Sequence, residues 1–542
     1  MSYDSFVVDR LPKADALPEF RFDLPELQYP ERLNAAVELV DRAVDEGAGA
    51  RHAVVNEAGR WTYSDLKDLS DRIARLLVEE EGLVPGNRVF LRGPNGAMLF
   101  AAWLGILKAG GIVVATMPIL RAGEIATIFA KAEISHAIVD ARTLADFTAA
   151  NDGARIVSIL TYDGDLGGGA LERRLEAVVP GFVAVETRRD DPVLIAFTSG
   201  TTGEPKGCVH FHRDILAAAD GFARNILRPA AGDVYLTSAS IAFTFGLGAA
   251  LIFPLRFHGT AVTLEASPPL ALLEAVERHK VTMLFTAPTA YKAMLSQLDG
   301  RDLSSLRTCV SAGEHLPLAT WTAWHDATGL GIVDGIGATE LMHIFISASG
   351  DAIRPGATGK AVSGYTACVL DERDRPQAAG TGRLAVKGPT GCRYLADPRQ
   401  AAYVVDGWNV TGDTYRLDDE GYFWYIARSD DMIVSSGYNI GAPEVENALL
   451  SHPAVLECAV IGARCEERGQ RVKAFVVAAP GYAPDEATAD QLKAHVKAAI
   501  APYKYPREIV FVDALPRTAT GKLQRFALRG TQPSGNVQRT VC

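Results

Sequence analysis

The stretch "FTSGTTGEPKGCVH", Phe197 to His210, holds hydroxyls, glycines and one lysine where an apolar run, "VLIAF" from Val193 to Phe197, has just ended. Thr198, Ser199, Thr201 and Thr202 offer hydroxyl donors and Lys206 a positive charge. Gly200, Gly203, Pro205 and Gly207 rule out regular structure and free main-chain N–H groups to converge on one spot. Such an inventory suits a polyphosphate. It is not a Walker loop, in which a GK pair is followed by Ser or Thr at the start of a helix, because Lys206 follows Pro205 and precedes Gly207.

Further along the chain stand other groups that could share the work. "DGIGATE", Asp334 to Glu340, carries a hydroxyl and a carboxylate. "NVTGD", Asn409 to Asp413, offers an acidic residue in a glycine turn, and "SAGE", Ser311 to Glu314, a polar glycine turn. Near the C-terminus are "ARSDDMIVSSGYNIGAPEVE" and "PRTATGKLQR".

The segment "TSGTTGEPKG" resembles, position by position, the phosphate loop of the adenylate-forming superfamily of acyl-CoA synthetases, luciferases and peptide-synthetase adenylation domains. The other segments follow in that superfamily's order. The resemblance implies ATP or AMP contacts from Thr198, Ser199, Gly200, Thr201, Thr202, Gly203, Lys206, Gly313, Glu314, Asp334, Gly335, Ile336, Thr339, Asp413 and Arg428. It implies Glu340 as the Mg2+ ligand, Asp413 on the ribose, Asp430 as a hinge, Gly437 beside the CoA pantetheine and Lys522 as the catalytic lysine. Catalysis would then rest on Lys522, Glu340, Thr198 and Lys206, with ATP, CoA and Mg2+ as co-substrates and cofactor. Ile336 stands where many relatives place an aromatic residue, so the adenine would rest on an aliphatic face.

"TELMHIFISA", "FTFGLG" and "TAPTAYKAML" are closer to benzoate-type CoA ligases than to fatty-acyl ones. "DRLPKADALPEF" and "LPELQYPERLN" are similar to 2-aminobenzoate-CoA ligases. By that likeness Thr244, Phe245, Gly337, His343 and Ile344 line an aryl-acid pocket, Gly337 leaving a flat slot between apolar walls. The implied activity is coupling of an aromatic acid to AMP and then to CoA, with 2-aminobenzoate favoured. Benzoate or hydroxybenzoate CoA ligase, and a free-standing adenylation protein that loads a carrier-bound pantetheine, stay open as alternatives.

The elements that must position these groups follow from pattern. "TYSDLKDLSDRIARLL" puts Leu66, Leu69, Ile73, Leu76 and Leu77 on one helical face, with Ser64 as an N-cap. Helices alternate with short apolar runs at "RVFLRG", "GIVVATM", "HAIVD", "VLIAF" and "VTMLFTAPT", which predicts an α/β fold with largely parallel sheets. After about Arg428 the pattern changes to a small α+β unit, with helices from Glu446 and over 490–500. We expect a large N-terminal domain over 1–428 and a small mobile C-terminal domain over 429–542, the adenylate-forming enzyme fold.

Bulk properties agree with an ordinary globular chain. Its 542 residues are 48% hydrophobic and 22% charged, with a formal charge of −11, which supplies no footprint for nucleic acid or an anionic membrane. A phosphate ligand must therefore be held by local loops and single cations. Seven scattered cysteines without a CxxC pair predict reduced thiols, and an acidic N-terminus without an apolar segment predicts a cytoplasmic protein. The most apolar long segment, Met98 to Leu120, is broken by Lys108 and reads as a buried helix followed by a strand.

Overall fold

The computed structural model describes residues 3–151, 156–165, 167–198, 205–428, 431–435, 438–465, 469–517 and 523–530. Strands and helices alternate over the first two sheets. One sheet runs in the order Ser158–Tyr162, His136–Asp140, Arg88–Arg92, Ile112–Thr116, Pro192–Thr198, Lys206–Phe211. Its neighbours are parallel except for the last pair. A second, nine-stranded sheet has a parallel interior and antiparallel additions at both edges.

Parallel strands buried on both faces read as continuous apolar runs, and that is why Arg88–Arg92 and His136–Asp140 are buried throughout. The helix Ala97–Lys108 is buried along its whole length and is followed by Ile112–Thr116, as its sequence predicts. Lys108 is accommodated there because Asp41 and Asp71 accept from its Nζ at 2.5 and 2.6 Å. Among the described residues no helix is long and apolar enough to cross a membrane.

A third sheet, antiparallel, includes Thr366–Leu370, Gly380–Lys387, Trp408–Leu417 and Phe423–Arg428. The fourth sheet, Tyr438–Ile440, Ile433–Ser435, Gly469–Ala478, Val455–Cys465 with Glu508–Phe511, belongs to a smaller α+β unit. Its own core gathers Ile433, Val445, Leu449, Val460, Val472 and Val496.

Three local expectations need correction. Val193–Phe197 lies within a strand that is parallel to Ile112–Thr116 on one side only and pairs antiparallel with Lys206–Phe211 on the other. The first helix, Tyr63–Arg75, is capped by Thr62 and not Ser64. Thr62 Oγ1 accepts from Asp65 N at 3.1 Å while the Asp65 carboxylate accepts from Thr62 N at 2.8 Å, a reciprocal capping box. Both late helices begin earlier than periodicity suggests: Ala442–Leu450 starts with Pro443 in its first turn, and Glu486–Ala499 with Asp485 accepting from Thr488 N.

Candidate functional site

Thr198 closes one strand, Lys206 opens the next, and the two residues face each other in register. The two flanking strands are antiparallel neighbours, whereas a Walker loop leads from a strand into a helix. The loop residues Ser199, Gly200, Thr201, Thr202 and Gly203 lie outside the described residues. At the end of the first strand Thr198 Oγ1 is buried with no partner among the described residues, an open hydrogen-bonding group of the kind a ligand oxygen would satisfy. Lys206 Nζ donates to the Tyr394 hydroxyl at 2.7 Å and lies 3.5 Å from Glu340 Oε1. The Tyr394 hydroxyl donates in turn to Glu340 Oε1. Thr198 and Lys206 thus share one neighbourhood with Glu340, which is far along the chain from both.

Glu340 reaches that place on a short, constrained turn. The strand Ile332–Gly337 ends, Thr339–Leu341 forms a single 3-10 turn, and Ile344–Ser347 returns antiparallel with Gly335 opposite Ser347 and Gly337 opposite Ile344. Between them Met342 sits at φ 67° and ψ −42°, and His343 N donates to Leu341 O at 2.8 Å. This is a strained γ-type turn at a residue with a Cβ, a conformation that persists only where its surroundings fix it. His210 Nε2 lies 2.8 Å from Thr339 O, which can only accept. The strand's glycines serve the return: a Cβ on Gly335 would stand 2.7 Å from Ile344 Cδ1, and one on Gly337 2.8 Å from the His343 carbonyl oxygen. Close backbone approach by itself requires glycine at 337.

On the far side of that turn the surroundings become aromatic. Phe245, in the helical turn Thr244–Leu247, stacks on His343 with ring centroids 5.7 Å apart, and Phe222 and Phe253 approach the same imidazole to 5.3 and 4.7 Å. Thr244 and Ile344 are buried. His343 is 3% exposed, and burial pushes its imidazole down to about 3, so the ring is neutral. Its Nε2 lies 3.4 Å from Phe245 O and its Nδ1 has no partner among the described residues. A neutral imidazole has one N–H and one lone-pair nitrogen. With Nε2 turned to a carbonyl, Nδ1 is left as an open acceptor.

Asp413 and Arg428 are cross-strand partners in the third sheet, and Arg428 Nη1 donates to Asp413 Oδ1 at 3.3 Å. Gly313 adopts φ 88°, turning the chain so that His315, two residues on, stacks against Tyr425 at 5.1 Å. The Gly313–Glu314 segment therefore lies beside the sheet that carries Asp413 and Arg428. Asp334 and Ile336 share the strand that leads to Glu340. Burial raises the Asp334 carboxyl to about 8, against the opposing hydrogen bonds from Gly335 and Thr358. Asp430, Gly437 and Lys522 lie outside the described residues.

Among the described residues no group of three or more His, Cys, Asp or Glu side chains could hold a metal ion alone. A single carboxylate at Glu340 fits Mg2+ that keeps phosphate and water oxygens as its remaining ligands. Tyr394 went unnoticed in the sequence because "GCRYLADP" carries no spacing that distinguishes a site tyrosine from a core one. Only the fold brings it between Lys206 and Glu340.

The AMP-binding enzyme family model matches residues 40–394, and the AMP-binding enzyme C-terminal domain model matches residues 444–522. Benzoate-CoA ligase of Thauera aromatica is 38% identical over 512 residues, covering 93% of this chain and 97% of that one. The crystal structure of the anthranilate CoA ligase AuaEII in complex with anthranoyl-AMP superposes with a TM-score of 0.88 at 33% identity, covering 93% of this chain and 98% of that one. A benzoate CoA ligase from Burkholderia xenovorans LB400 superposes with a TM-score of 0.84 at 32% identity, covering 92% and 100%. Matched in sequence and in fold along most of its length, the chain belongs to the AMP-binding enzyme family.

Proposed function

We propose that the chain is an aryl-CoA ligase that activates an aromatic carboxylate with ATP and passes the acyl group to CoA, with 2-aminobenzoate as the preferred acid. The observation that carries this reading is the turn from Glu340 to His343. It sets a carboxylate, with a lysine beside it, three residues along the chain from a neutral, ring-walled imidazole that has an open acceptor.

A carboxylate resists nucleophiles because it is negatively charged and has no leaving group. Attack of its oxygen on the α-phosphorus of ATP forms the acyl–AMP bond and breaks the bond to pyrophosphate, and a thiol can then displace AMP. Thr198 and Lys206 would hold phosphate oxygens in line for that displacement, which is catalysis by position and charge. Mg2+ bound at Glu340 would neutralise charge on the phosphates. Lys522, carried over from the family resemblance, would stabilise the charge that builds at the α-phosphorus. Domains over 1–428 and 429–542, pivoting at Asp430, would let that lysine withdraw and Gly437 approach for the thiol step.

The ring side supports an aromatic acid with a small donor. Phe245, Phe253 and Ile344 give apolar contact, and an ortho amino group, weakly basic in conjugation, needs an acceptor and not a counter-charge. His343 Nδ1 is that acceptor, and Thr244 is a second polar neighbour. The likeness to an anthranilate CoA ligase supports the same choice. The test is AMP release over a panel of aryl acids with CoA or a holo-carrier protein as acceptor. Turnover that is fastest with 2-aminobenzoate and CoA is expected. Turnover only with the carrier protein, or only with aliphatic acids, contradicts the proposal.

A further inference from the structure

Tyr394 is 1% exposed and firmly seated. Its backbone N donates to Gln400 Oε1 at 2.9 Å, and Gln400 Nε2 donates to Cys392 O at 3.1 Å and Ala16 O at 2.9 Å. Tyr394 also forms an isolated bridge to Cys208, two residues beyond Lys206. Lys206 by contrast is 23% exposed on a flexible stem, with its ammonium over the Tyr394 ring at 4.6 Å. The hydroxyl between them has a fixed sense. An ammonium can only donate, so the phenol oxygen accepts from Lys206 and its own proton goes to Glu340.

The neighbours of Tyr394 extend the same support. Thr390 Oγ1 donates to Leu341 O at 2.7 Å. Arg393 donates to Asp214 at 2.6 Å, and Asp214 lies 3.7 Å from His210, the residue against Thr339 O. Residues 390–394 thus reach Glu340 and Leu341 directly, and Arg393 pairs with the Asp214 carboxylate that stands beside His210.

We propose that Tyr394 is a positioning residue for adenylation: its hydroxyl pairs Lys206 with Glu340 in the resting site and keeps the carboxylate in place once the lysine turns to the nucleotide's phosphates. The inference rests on the adenylation reading above. Without the hydroxyl, Glu340 would lose its fixed donor at the moment the lysine leaves, and the divalent cation would meet a carboxylate free to rotate. A merely structural tyrosine would affect stability alone.

The test compares wild type with Tyr394→Phe, which keeps the ring and deletes the hydroxyl. Calorimetric titration with a non-hydrolysable ATP analogue over a Mg2+ series is expected to show a higher half-saturating Mg2+ concentration. The adenylation rate should fall roughly 10- to 100-fold, the range seen when a group orienting a metal ligand is lost. Thioester formation from supplied acyl-adenylate should change less than about twofold, since a group acting only at the phosphoryl step leaves it untouched. Unchanged Mg2+ dependence with a lower melting temperature, or equal losses in both half-reactions, overturns the proposal. Should Tyr394→Phe fail to fold, 3-fluorotyrosine placed at 394 keeps the shape and alters the donor. A shift in Mg2+ dependence then supports the proposal, and none overturns it. The nucleotide titration needs no acid, so a wild type that binds the analogue yet activates no aryl acid would sink the aryl reading while Tyr394 is still decided.

Discussion

The two ends of the turn between Glu340 and His343 are built on opposite principles. At the Glu340 end Lys206, Tyr394 and Glu340 are joined through charge and hydrogen bonds before any ligand arrives, with the Thr198 hydroxyl left open beside them. At the His343 end the walls are aromatic rings and one nitrogen is left open. An acceptor buried without a partner costs stability, roughly 1–3 kcal/mol, and a ligand that satisfies it recovers that cost on binding. The comparison teaches where generic and specific recognition reside. On the proposed function, the charged end would hold the triphosphate and the aromatic end would tell one acid from another.

Breaking the phosphate chemistry should have the largest effect. Lys522→Ala is expected to lower acyl-AMP formation about 10²- to 10³-fold, the loss of one charge-stabilising donor, and to spare thioester formation from supplied acyl-AMP. Pyrophosphate exchange and a separate thioesterification assay check it. Equal damage to both steps would contradict a lysine that serves only the phosphoryl transfer.

The aromatic end can be sharpened with His343→Leu, which keeps apolar volume and removes the acceptor. Adenylation of 2-aminobenzoate should lose roughly 10- to 100-fold in kcat/KM, while benzoate changes little, because an unsatisfied donor is penalised and an absent one is not. A loss shared equally by both acids removes His343 from recognition of the amino group.

The smallest effect on the chemistry is expected from Gly337→Val, which probes the turn that joins the two ends. Its Cβ would meet the His343 carbonyl oxygen, so the strand pair must part locally, at a cost of about 1–3 kcal/mol. Thermal denaturation should show that cost together with weaker aryl-acid turnover, and nucleotide affinity should hold. Lowered turnover at unchanged stability would favour simple obstruction of the acid over displacement of the His343 backbone.

Much of this architecture is legible in the chain because period and punctuation carry it. The helix at Tyr63, the buried helix before Ile112 and the apolar runs of the first sheet follow from spacing alone. What the sequence hides depends on contacts distant along the chain. Ser64 looks as good a cap as Thr62 until Asp65 is seen closing the box on Thr62. Pro192–Thr198 pairs antiparallel with Lys206–Phe211, and the glycines between them in sequence do not say whether the chain returns or crosses over. Tyr394 is 54 residues from Glu340 and 188 from Lys206, beyond any local pattern. The γ-turn at Met342 has no signature, since a methionine at positive φ is fixed by its surroundings and not by its own preference.

The claim that ties both ends together is that this turn serves an aryl acid at its aromatic end and ATP at its charged end. ATP–pyrophosphate exchange by the wild-type protein, run with 2-aminobenzoate, benzoate, 4-hydroxybenzoate and a medium-chain fatty acid, tests it most directly. The account predicts exchange that depends on the aryl acids and is greatest with 2-aminobenzoate; exchange driven best by the fatty acid, or by no acid at all, would contradict it.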